Sequence, residues 1–62
     1  MPNFFNRKQL AQAKTKEELS QIAYILQQNN IEYIAAPEET SDKIAIFVNK
    51  KDFEKANILI HN

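Results

Sequence analysis

The chain has 62 residues, eight basic and eight acidic side chains, and neither Cys nor Gly. That length allows one domain, spanning 1–62, near the lower limit for folding without a metal or a disulfide. The missing Cys excludes thiolate zinc sites and disulfide staples, and the missing Gly excludes glycine-rich phosphate loops, whose backbone must approach the phosphates without a Cβ in the way. No apolar run reaches the length of a membrane span or a signal-peptide core, so the expected location is the cytoplasm.

The charges are sorted along the chain. Residues 1–16 carry Arg7, Lys8, Lys14 and Lys16 and no acid, whereas residues 17–42 carry Glu17, Glu18, Glu32, Glu38, Glu39 and Asp42 and no base. The remainder mixes Lys43, Lys50, Lys51 and Lys55 with Asp52 and Glu54. An ordinary solvated surface accounts for this pattern. A polar molecule whose basic and acidic sides orient a partner is the sharper reading.

Residues 1–6 form a short lead-in with two adjacent aromatics, Phe4 and Phe5, which on a strand point to opposite faces. Arg7 to Lys14 alternates faintly, Leu10 and Gln12 against Ala11 and Ala13, and reads as a first strand. Thr15 then opens a helix. Its hydroxyl is placed to accept from the Glu18 amide while the Glu18 carboxylate reaches back to the Thr15 amide, a capping box. Leu19, Ile22, Ala23 and Leu26 recur at helical spacing and build one apolar stripe. Asn29 and Asn30 supply a left-handed exit, since Asn tolerates that conformation.

The pattern then changes period. Ile31 to Ala36 is rich in β-branched and aromatic residues and reads as a second strand, which Pro37 closes because it cannot donate to a ladder. Residues 38–42 are expected to form a flexible acidic hairpin tip, a solvated loop without the fixed spacing of metal ligands. Lys43 to Val48 is the strongest strand, with Ile44, Ile46 and Val48 on one face and Ala45 and Phe47 on the other. Asn49 is a good N-cap, with Asp52 at the reciprocal position, for a second helix from Lys50 to about Ile60. That helix presents Phe53, Ala56 and Ile60 on one side and leaves Ile58 off the stripe. The alternative is that residues 58–60 begin a fourth strand.

The order β-α-β-β-α predicts an α+β domain: a three-stranded antiparallel sheet of order 1-3-2 with both helices on one face, a ferredoxin-like unit lacking its last strand. Leu19, Ile22, Leu26, Phe53 and Ile60 would meet Ile31, Tyr33, Ile44, Ile46 and Val48 across the core. The open face would carry Ile34, Ala36, Ala45 and Phe47, unusually apolar for a solvent face, and the strand 1 edge would be unpaired. These residues, together with Phe4 and Phe5, are the candidate protein-interaction site. Phe4 and Phe5 could instead fold over the face themselves.

Chemistry is sparse. The only His, His61, stands beside the C-terminus, and Ser20 and Ser41 have no sequence neighbour that would activate them. Capping and the helix dipole account for Glu17 and Glu18. A single-strand nucleic-acid platform centred on Phe47 lacks a paired aromatic motif, a basic stripe and net positive charge. No catalytic, cofactor or metal residue is expected.

Several stretches carry a family resemblance. Phe4-Phe5-Asn6-Arg7-Lys8 is followed by Lys16-Glu17-Glu18-Leu19, and then by Ile25 to Tyr33 with its Asn29-Asn30-Ile31 turn. Ile46-Phe47-Val48 then leads into a helix with Asp52, Glu54 and Ala56. Together these resemble a small family of prokaryotic signal-transducing proteins, over most of the chain and through structural motifs. The resemblance implies a relation to PII-like nitrogen regulators, which are trimeric, ferredoxin-like and nucleotide-sensing. Without Gly or a long regulatory loop, and at about half that size, the chain does not inherit ATP binding, and no catalytic residue carries over.

Two classes of function follow. The first is a non-enzymatic regulatory or protein-interaction module that self-associates or binds another protein through its open face or edge. The second is a PII-like small-ligand sensor using the groove beside the acidic loop. Single-stranded nucleic-acid binding comes third. A catalytic site assembled between chains would have to draw on Tyr24, Tyr33, Lys43 or the acidic loop.

Overall fold

The structure, a computed structural model, describes residues 6–61. Five elements follow in order: β1 (Arg7–Ala13), α1 (Lys16–Gln28), β2 (Tyr33–Pro37), β3 (Ile44–Asn49) and α2 (Lys50–His61). The strands form one antiparallel sheet of order β1-β3-β2, the α+β arrangement expected. Phe4 and Phe5 lie outside the described residues.

Helix α1 begins and ends as its caps dictate. Thr15 is the N-cap, its Oγ1 accepting from the Glu18 amide at 3.1 Å. The Glu18 carboxylate turns back one residue further than a capping box requires, accepting from the amide of Lys14 at 3.2 Å rather than that of Thr15. At the far end Asn30 takes φ 57°. The Asn30 amide donates to Gln27 O and the Ile31 amide to Leu26 O, the paired bonds of a Schellman motif with Asn in the usual glycine place. Ile31 and Leu26 are both buried in the same cluster, the apolar contact that accompanies this motif. Ile31 is therefore a core residue of the turn, and β2 starts two residues later than alternation suggests.

Strand β3 is central. Ile46 and Val48 are fully buried beneath the helices, and Leu26 of α1 and Ala56 of α2 belong to the same cluster. Leu19, Ile22, Tyr33, Phe53 and Ile60 pack around its rim, as their periodicity predicts. Leu10, Ala11 and Ala13 also join it, and alternation alone does not put them together. The reason is a β-bulge. Gln9 pairs with Phe47 and Ala11 with Ile46, so Leu10 is an extra residue in β1. The bulge turns Leu10 to the same side as Ala11 and Ala13, while Gln9 and Gln12 face away.

Helix α2 runs unbroken to His61, which removes the possibility of a fourth strand at 58–60. Ile58, off the apolar stripe, is 60% exposed. Asn49, the expected N-cap, directly precedes this helix. Asn49 is still in β3, and the first helical amide, that of Lys50, donates to Asn6 O at 2.8 Å. At the other end His61 Nε2 meets Leu10 O, and between the two the Lys8 ammonium lies 4.1 Å from the centre of the Phe53 ring. Helix α2 is thus tied to β1 and the residue before it at both ends, with the Lys8–Phe53 contact in its first turn.

Candidate functional site

The register of the sheet decides what its outer face offers. Ile34 lies opposite Phe47 and Ala36 opposite Ala45, while on the other side of β3 Phe47 faces Gln9 and Ala45 faces Gln12. Because Ile46 and Val48 point into the core, the alternate residues Ala45 and Phe47 point away from it. The outer face is therefore apolar over β3 and β2 and polar over β1, where Gln9 and Gln12 are exposed. Ile34, Ala36 and Phe47 are half-buried, and Ala45 is only 5% exposed. Four of the six candidate interface residues thus form one patch.

Both edges of the sheet are blunted. The bulge at Leu10 interrupts the β1 ladder, and Pro37, the last residue of β2, pairs with Ile44 but has no amide to give a further strand. The edge is therefore a weaker docking route than the face.

The acidic hairpin has more structure than its composition suggests. The Glu38 carboxylate accepts from Gln12 Nε2 on one oxygen and from Ser41 Oγ, at 2.8 Å, on the other. Ser41 Oγ accepts in turn from the Lys43 amide, and the Glu38 amide donates to Lys43 O. Ser41 does have a carboxylate partner, then, but one that closes the turn. Among the described residues no group of three His, Cys, Asp or Glu is placed to hold a metal ion.

The residues that an inter-chain catalytic site would draw on are scattered. Tyr24 is 63% exposed on the outer side of α1, bordering a cleft with Ile25 and Glu17. Tyr33 pairs with Val48 at one end of the sheet, and Lys43 precedes Ile44 at the other. His61 is engaged with Leu10 O.

Two features escape sequence reading. Lys8, Lys50 and Lys51 border one cleft with Phe53, so the basic residues of the first and last thirds of the chain meet at one end. At that end too, Arg7 reaches across β3 to line a cleft with Gln27, Asn30, Ile31, Glu32 and Tyr33. Nothing in the local pattern joins residue 7 to residues 27–33; only the strand order does.

No helix among the described residues is long and apolar enough to cross a membrane. Set against known proteins, the chain matches no family model, no curated protein and no solved structure. The resemblance drawn above therefore rests on the residues quoted for it.

Proposed function

We propose that this protein is a non-catalytic regulatory module of the cytoplasm that works by binding, with its outer sheet face as the interface and a second copy of itself as the first occupant. The observation that carries this reading is the apolar make-up of the outer face, where the half-buried Ile34, Ala36 and Phe47 surround the buried Ala45. Apolar surface gathered on one face of a small domain marks an interaction site more often than an inert one. The core is thin: its largest fully buried side chains are Leu26, Ile46 and Val48. A domain of this size gains from burying more apolar area against a partner. Two such faces packed sheet on sheet would bring apolar halves together, with Gln9 and Gln12 of each copy at the rim. With both edges blunted, a face-to-face contact is preferred to strand addition.

The test is sedimentation velocity and light scattering over a concentration series. The wild type is expected to dimerise, and Phe47→Glu to be monomeric with a lower melting temperature, because a charge buried in an interface lacks compensation. Ile34→Lys, on the outer strand, gives a second probe if Phe47→Glu does not fold. A wild type that stays monomeric into the high micromolar range would overturn the reading.

A further inference from the structure

We infer that the cleft at the Arg7 end of the sheet binds a small α-amino acid, its carboxylate taken by Arg7 and its ammonium by Glu32. Arg7 begins β1, and β3 lies between it and β2, so its side chain crosses the end of β3 to reach the residues that open β2. There it borders a shallow, open cleft on the surface. Its Nη1 is buried without a hydrogen-bond partner. A buried polar group left unpaired is costly and is uncommon enough in native proteins to need a reason. A carboxylate in the cleft supplies the guanidinium with a counter-charge, in the planar, two-pronged geometry that Arg is built to meet.

The remaining lining narrows the ligand. Glu32 borders the same cleft. An acid at the rim repels a phosphate dianion, but it complements a ligand that carries its own cation beside its carboxylate. Gln27 and Asn30 add side-chain amides able to donate or accept, and the Tyr33 hydroxyl lies 3.5 Å from Gln27 Nε2. Ile31 and the Tyr33 ring supply apolar wall for a short side chain. Asn30 is held there by its left-handed backbone at the end of α1, so the cap of the helix also shapes the cleft. A cation, an anion and a small apolar wall within one cleft fit a free amino acid better than a simple anion. This site is separate from the outer-face patch and does not depend on self-association.

The experiment follows amide resonances of the full chain by two-dimensional NMR during titration with L-alanine, propionate, L-alanine methyl ester or inorganic phosphate. The expected result is that L-alanine shifts residues 7, 27 and 30–33. Propionate, which lacks the ammonium, and the methyl ester, which lacks the carboxylate, should each bind about tenfold more weakly or worse, the factor that one lost charge-assisted contact of about 1.4 kcal/mol produces. Arg7→Gln should abolish the shifts. Glu32→Gln, at an exposed position that folding does not require, should reduce L-alanine to the level of propionate. Phosphate or propionate binding as tightly as L-alanine would overturn the assignment, as would shifts confined to other residues or none at all. So would a Glu32→Gln variant that keeps the full preference for L-alanine over propionate.

Discussion

His61 Nε2 lies 3.1 Å from the carbonyl oxygen of Leu10, the extra residue of the β1 bulge. A bulge leaves one residue of its strand outside the regular ladder, and here the last residue of α2 reaches the carbonyl at that point. A ring that would be exposed and idle if it merely trailed the chain instead ties the end of the helix to an irregularity in the sheet. His61→Ala should cost about 0.5–1.5 kcal/mol, the net worth of one hydrogen bond. His61→Gln, which keeps a donor, should recover much of it. Urea melts of the three proteins decide the matter, and a neutral His61→Ala would mean that the bond contributes nothing in solution.

The N-cap of α1 is the second test. Thr15→Ala removes the acceptor for the Glu18 amide and should lower stability by about 1 kcal/mol. Because the Glu18 carboxylate serves the Lys14 amide and not that of Thr15, its loss is an independent one. The double variant Thr15→Ala, Glu18→Ala should therefore be more destabilised than either single variant, measured by the same urea melts.

At the other end of α1, Asn30 holds a left-handed backbone that costs an ordinary residue about 1–2 kcal/mol. Asn30→Ala should destabilise by about 1 kcal/mol, and Asn30→Gly should be at least as stable as the wild type. Thermal melts of the pair would expose a mistaken assignment if Ala and Gly behaved alike.

Leu26 is fully buried where α1 meets the sheet and where the Schellman turn closes on Ile31. Leu26→Ala should cost about 2–5 kcal/mol through the cavity it leaves. Against the marginal stability expected of so small a domain, that loss should leave a large unfolded fraction at room temperature, visible by circular dichroism.

Glu38 makes a local prediction. Glu38→Ala releases both Gln12 and Ser41 from the hairpin while touching no core residue. Amide exchange at 38–43 should quicken markedly, with global stability changing by about 0.5 kcal/mol or less, as a surface change of this kind does.

Legibility in the sequence followed the range of each interaction. The caps of α1, its apolar stripe and the alternation of β3 are local patterns, and they correctly place Thr15, Leu26, Asn30, Ile46 and Val48. The outer-face residues Ile34, Ala36, Ala45 and Phe47 follow from the same alternation, once a hairpin is assumed. The bulge was not legible, because whether Leu10 or Ala11 faces Ile46 is settled by fit against the helices and not by the strand's own residues. Asn49 stands where the local pattern puts a cap, but the partner of the Lys50 amide is Asn6, more than forty residues earlier, and no local pattern announces it. The cleft at Arg7 was hidden for the same reason: its parts meet only after β3 has been inserted between the outer strands.

The central position of β3 has a consequence for how the protein fails. Ile44-Ala45-Ile46-Phe47-Val48 is an uncharged run of high β-propensity without Pro, the kind of segment that stacks into cross-β fibrils when it is free. Within the fold, both sides of its backbone are occupied, by β1 on one side and β2 on the other. The segment can template another chain only after a flanking strand has been lost. The straps from α2 to β1 and the turn that seats β2 therefore also act as gatekeepers, and destabilised variants should shorten the lag before fibril growth in proportion to the stability they lose.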